Sequence, residues 1–189
     1  LQKSDGGTAL SLAASIGREN LVELALRHGA EANQRSRTTG GTALMEAAYK
    51  GNERVVDTLI RHGAEIDMQD NDGGTALMFA AHYGHPTMVR QLLRAGADMP
   101  LRSKEGKTAL QYAKQQGHTA CVRAFGEHAA AQRAAEKAAK EAAWAAEAAE
   151  RAAERAAAEA EAARHADELL AEVEAEKRGK GKKGKKKKG

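Results

Sequence analysis

The sequence predicts an all-α chain: a solenoid of stacked helix pairs, then a long single α-helix, then a disordered basic tail. Three observations carry that prediction. Thr-Ala-Leu-x-x-Ala begins at Thr8 and returns at Thr42, Thr75 and Thr108, spacings of 34, 33 and 33 residues that arbitrary loops between unrelated helices would not produce. From Glu127 to Arg178 there is neither glycine nor proline, and 24 of the 50 residues from 129 to 178 are alanine. Beyond Arg178 only lysine and glycine remain.

Each copy of the hexapeptide reads as a short helix with its threonine as N-cap. A glycine nine residues on, at Gly17, Gly51, Gly84 and Gly117, turns the chain into a second apolar segment. That segment contains Leu21-Val22, Val55-Val56, Met88-Val89 and Cys121-Val122. Arg-His-Gly-Ala-Glu closes it at Arg27 to Glu31 and Arg61 to Glu65, and Arg-Ala-Gly-Ala-Asp closes it at Arg94 to Asp98. The unit is a helix, a glycine turn, a second helix, a glycine C-cap and an extended finger.

Residues 1–128 resemble the ankyrin repeat, whose period of about 33 and T-P-L-H-x-A signature match in phase over four copies. The family proline is replaced by Ala9, Ala43, Ala76 and Ala109, and the family histidine by Ser11, Met45, Met78 and Gln111. The resemblance implies a fold stabilised by stacking of neighbours. It also implies a partner surface formed by the fingers and by the two residues before the inter-helix glycine.

In chain order, copy one places Ala13 and Ala14 where Ala47-Ala48 and Ala80-Ala81 follow, small enough for close packing of adjacent helix pairs. The finger from Asn33 to Gly41 holds the one extra residue, and Pro86 suits the first turn of a helix. Copy four reads as an end. Lys114 replaces the small alanine, Gly126 stands where Leu26, Ile60 and Leu93 stand, and Ala129 replaces the closing glycine. The second helix therefore has no stop, and residues 129–178 continue it as a rod of ~78 Å at 1.5 Å per residue. Glu136–Lys140, Glu147–Arg151 and Arg164–Glu168 are spaced to support it. Ala135, Ala142, Ala149, Ala156, Ala163 and Leu170 recur every seven residues, so residues 135–173 carry a seam of heptad spacing, interrupted by Glu159, that suits either a solitary charge-laced helix or one that pairs with a partner helix. Residues 179–189 are expected to be disordered.

The net charge of +4 hides a division: +1 over residues 1–128, −6 over 129–176 and +9 over 177–189. The single cysteine, Cys121, aligns with Leu21, Val55 and Met88 and reads as a core residue, so a disulfide framework is excluded. A reducing location follows, cytoplasmic or alternatively nuclear. No apolar run approaches the ~20 residues that span a bilayer. The chain starts at Leu1 rather than methionine, leaving room for a regulatory fragment of a larger enzyme or channel.

No constellation suited to catalysis, a cofactor or a metal stands out. His82-x-x-His85 and His118-x-x-Cys121 have metal-like spacing, but in the repeat register His85 and His118 follow the inter-helix glycine while Cys121 faces the core. His28, His62 and His128 fall near second-helix ends and are expected to satisfy the last carbonyls. The candidate protein-binding residues are Tyr49, Lys50, Phe79, His82, Tyr83, Gln115 and Gln116, on the concave face that the resemblance implies. Lys180, Lys182, Lys183, Lys185, Lys186, Lys187 and Lys188 are the candidate anionic-surface contacts, for an acidic protein, nucleic acid or anionic lipid.

Overall fold

The computed structural model describes residues 8–183, with side chains through Lys177. The chain divides into two compact units, Leu1–Gln132 and Arg133–Gly189. Eight helices run in the order α1 (Ala9–Ser15), α2 (Glu19–Arg27), α3 (Ala43–Lys50), α4 (Glu53–Arg61), α5 (Ala76–His82), α6 (Pro86–Arg94), α7 (Ala109–Gln115) and α8 (Thr119–Lys183). No strand occurs among the described residues. The first unit is a stack of four antiparallel helix pairs in which α1, α3, α5 and α7 pack in one row and α2, α4 and α6 in another.

Threonine starts every first helix. Thr8, Thr42, Thr75 and Thr108 accept from the backbone N–H three residues on, at 3.0, 3.4, 3.3 and 3.4 Å. The position after the alanine-leucine pair then divides by context. At the ends of the stack Ser11 and Gln111 complete reciprocal capping boxes, bonding back to the N–H of Thr8 at 2.9 Å and Thr108 at 2.8 Å. Inside the stack Met45 and Met78 are buried and fill the core instead. Pro86 sits in the first turn of α6, where its missing N–H costs nothing.

Ala47, Ala48, Ala80 and Ala81 are completely buried between successive first helices. Leu59, Leu92, Val56, Val89 and Cys121 fill the second row. Burial of each large side chain contributes roughly 1.5–3 kcal/mol relative to exposure. Leu21 is the exception among its register mates: it is 50% exposed, whereas Val55, Met88 and Cys121 are fully enclosed. Among the described residues nothing stacks on that side of the first pair. At the other end Lys114 is exposed where Ala14, Ala48 and Ala81 are buried.

Neighbouring repeats are tied by the residue after the inter-helix glycine. Asn52 Nδ2 donates to the carbonyls of Ala14 and Ser15 at 2.7 and 3.1 Å. His85 Nε2 donates to Tyr49 O at 3.2 Å, and His118 Nε2 to His82 O at 3.0 Å. These are last-turn carbonyls, which the regular helix ladder leaves unsatisfied; Ala14 O also accepts from Gly17 N–H at 3.2 Å. The approach explains the glycines. Gly51 and Gly84 have φ of 77°, and an added Cβ would lie 2.8 and 2.7 Å from the imidazoles of His85 and His118.

Each finger closes on itself, Ser36 N–H to Gly41 O at 2.8 Å, Asp70 to Gly74 at 2.9 Å and Ser103 to Lys107 at 3.0 Å. Adjacent fingers join through Asn71 N–H to Thr39 O at 2.9 Å and Lys104 N–H to Asp72 O at 2.8 Å. The extra residue of the first finger is absorbed within the turn from Ser36 to Gly41. There Gly40 N–H reaches Ser36 O across four residues, where Gly73 and Gly106 reach Asp70 and Ser103 across three.

Where the closing glycine is missing, α8 runs on without interruption, ending at Lys183 rather than 178. Cationic residues at a helix C-terminus favour that extension by offsetting the macrodipole. The expected disordered tail is thus helical as far as Lys183, and residues 184–189 lie outside the described residues. Glu136–Lys140 pairs at 2.7 Å and Glu147–Arg151 pairs as well. Arg164–Glu168 does not; Glu168 lies 4.0 Å from His165, three residues away on the same face. The seam residues of the second unit are exposed throughout, Leu170 and Val173 among them.

His28 and His62 are the C-caps of α2 and α4, and their backbone N–H groups reach last-turn carbonyls. The His62 imidazole is used elsewhere, its Nε2 meeting Glu23 Oε2 of the preceding repeat at 3.1 Å. His128 has no helix end to serve, because α8 continues through it.

Candidate binding face

The first helices and the fingers position one row of aromatic side chains. Tyr49 stands near the end of α3, His82 ends α5, Tyr83 caps it, and Tyr112 lies in the middle of α7. The stacking of α3, α5 and α7 brings these rings together, although only Tyr49 and His82 share a repeat position. Tyr49 and Tyr83 meet edge to face with centroids 4.4 Å apart, His82 and Tyr83 at 4.8 Å, and His82 and Tyr112 at 5.6 Å. The row is accessible: Tyr49 is 36% and Tyr83 43% exposed. Burial against Tyr49 raises the Tyr83 phenol above its ordinary range, so it remains a neutral hydrogen-bonding group.

Cations flank the row. Lys50 Nζ lies 4.6 Å from the Tyr49 ring centroid, and Lys107 Nζ 5.6 Å from that of Tyr112. Lys107 also bonds Glu105 at 2.8 Å, which draws the Glu105 carboxyl below and the Lys107 ammonium above their usual values. Tyr112 is fixed through its hydroxyl, 2.8 Å from Ser103 Oγ.

Two clefts open between this row and the fingers. The first, of about 310 Å³, is lined by Phe79, His82, Tyr83, Tyr112, Asp70, Asp72 and Glu105 among others. The second, of about 590 Å³, is lined by Tyr49, Phe79, Glu46, Asp70 and Asp72 among others. Phe79, half-buried one turn before Tyr83, belongs to both.

A family model described as "Ankyrin repeats (3 copies)" matches residues 1–70, 44–134 and 77–178, together most of the chain. The chain belongs to the ankyrin repeat family. No curated protein matches it. Ankyrin repeats generally mediate protein–protein interaction, and the family is typically non-catalytic. The ankyrin stack described above brings Tyr49, Lys50, Phe79, His82 and Tyr83 together. Gln115 ends α7 and Gln116 is its C-cap; both are exposed and stand outside the row of rings. Lys180, Lys182 and Lys183 fall in the last turns of α8, and Lys185, Lys186, Lys187 and Lys188 lie outside the described residues.

Sequence reasoning missed Tyr112 and the carboxylates Asp70, Asp72 and Glu105. Tyr112 was recoverable, since it follows Thr108 by the same four residues that separate Phe79 from Thr75. The carboxylates sit on fingers, where side-chain direction has no periodic signature. Among the described residues no group of three or more histidine, cysteine, aspartate or glutamate side chains is arranged to hold a metal ion. His85 and His118 use Nε2 on backbone carbonyls, and Cys121 is buried with its thiol pushed above the ordinary range by desolvation. No helix of the described residues is long and apolar enough to cross a membrane.

Proposed function

We propose that this ankyrin stack is a non-catalytic recognition module that holds a protein partner on its concave face. The contiguous aromatic row from Tyr49 through Tyr83 and His82 to Tyr112, exposed at Tyr49 and Tyr83, supports this reading. Tyrosine offers large contact area with few rotatable bonds and is enriched where interfaces concentrate their energy. The rings already rest against one another, so little side-chain entropy is lost on binding. Changing Tyr49 and Tyr83 together to alanine in the full chain should weaken capture of a native partner by at least tenfold, a hot-spot-sized loss. Undiminished capture by the double variant refutes the assignment.

A second activity is carried by the sequence of the C-terminal end, where nine cationic residues fall within residues 177–189. That density tethers the chain to an anionic surface, whether acidic protein, nucleic acid or lipid, and equally suits a chromatin-associated adaptor. No aromatic is interleaved, so contact is with backbone phosphates or carboxylates rather than bases. Removing residues 177–189 changes the formal net charge from +4 to −5 and should abolish salt-sensitive binding while leaving partner capture intact. The one cysteine, buried and unpaired, fits a reducing compartment, cytoplasm or nucleus.

A further inference from the structure

Resting on that recognition reading, we infer the chemistry of the partner: an extended protein segment anchored by a lysine or arginine side chain placed over Tyr83. The two clefts share Phe79, Asp70 and Asp72, so they form adjoining parts of one groove on either side of these residues. Glu105 of the lining is paired with Lys107; of the remaining charges around Tyr83 and Phe79, Asp70 and Asp72 stand against the single ammonium of Lys104. A cationic ligand is the complement of that lining.

The flanks of the groove already display the proposed contact. Lys50 lies over Tyr49, and Lys107 lies over Tyr112 with Glu105 as its counter-charge. At both ends, therefore, this chain seats one of its own ammonium groups against an aromatic face. Tyr83 occupies the middle of the row, and among the described residues no cation lies over its ring. Its surroundings match those of Tyr112, a ring with carboxylates beside it: Phe79 and Asp72 line the same cleft, and Asp70 is held in place by accepting the N–H groups of Asp72 and Gly74 at 2.9 and 2.7 Å. The central site has the exposed ring and the carboxylates and lacks the cation.

The reading of an acidic partner is disfavoured on the same geometry. Lys107 is paired with Glu105, leaving Lys104 as the one lining cation. An acidic side chain placed over Tyr83 would meet Asp70 and Asp72, with Lys104 the one lining cation to offset them.

Selection of a randomised displayed-peptide library on the full-length chain, counter-selected against the Tyr83→Ala chain, tests this. Enriched peptides should share one invariant lysine or arginine. A synthetic winner, followed by fluorescence anisotropy, should lose roughly tenfold in affinity when that lysine is acetylated, the scale of a desolvated cation–π contact. Tyr83→Ala and Asp72→Asn should each cost a similar factor, and Tyr83→Phe, which keeps the ring, should cost little. Both positions are exposed, so unchanged circular dichroism is expected in every variant. Failure to enrich a cation, enrichment of an acidic anchor, or binding indifferent to acetylation or to Tyr83→Ala overturns the inference. If cation selectivity is absent while Tyr49→Ala/Tyr83→Ala still abolishes native capture, the recognition module stands and its ligand is of another chemistry. If neither responds, both fail.

Discussion

Two residues illustrate how position in the stack sets chemistry. Cys121 is completely buried, and desolvation holds its thiol above the ordinary range, so the nucleophilic thiolate is scarce. A disulfide-exchange reagent should react with it only at the rate of unfolding, and rapid modification of native protein would show the core to be open there. Glu23 is the opposite case, an accessible carboxylate whose pKa is lowered below 4.5 chiefly by its hydrogen bond to His62, with Arg27 assisting at 2.9 Å. A depressed carboxyl pKa contributes stability that is complete above the unfolded value and lost as pH falls through the lower folded value. Urea midpoints of wild type and Glu23→Gln should thus differ near pH 5, where the carboxylate faces a protonated His62, and converge as the pH falls below 4.5. A gap that persists into strong acid would assign the difference to packing. The Glu23–His62 tie was not legible in the sequence, because its partners are 39 residues apart and meet only once two second helices are stacked.

Helices and turns were the most legible scale, since each is written four times with small variations. The threonine caps, the inter-helix turns and the missing stop before α8 all follow from residues whose backbone preferences are strong and local. What local preference does not encode is the role of a glycine toward its neighbour in the stack. Gly84 both adopts a left-handed conformation and leaves room for the His118 imidazole. Gly84→Ala should destabilise by more than ~1 kcal/mol, measured by chemical denaturation. Gly126 makes the converse case. It lies inside α8, and an added Cβ would meet nothing within 4 Å. Gly126→Ala should therefore stabilise by up to ~1 kcal/mol, the difference in helix propensity. Equal effects of the two substitutions would show that helix propensity alone, without the cross-repeat contact, governs both. The binding groove was half legible at this scale: helical register located its tyrosines, whereas the fingers that supply Asp70, Asp72 and Glu105 have no period from which to read side-chain direction.

The first unit as a whole has unlike ends. Its C-terminal face carries Lys114 in place of a stacking alanine, while its N-terminal face presents Leu21 and Leu24, 50% and 52% exposed, at positions where later repeats are enclosed. Terminal repeats of such arrays require a polar outer face, and among the described residues Lys114 supplies one at the C-terminal end. A duplicate of residues 42–74 inserted directly before Thr8 should raise the urea midpoint and slow amide exchange in α1 and α2. No change in either would mean that the exposed leucines are not a stacking surface. The lengthwise hydrogen bonds have a direction too. Asn52, His85 and His118 each donate backwards, into the repeat before. Loss of an end repeat at either side opens one such tie and hands donor and acceptor alike to water. The ties therefore fix how each module sits on the one before it, while the order in which modules let go is left to the apolar area each interface covers.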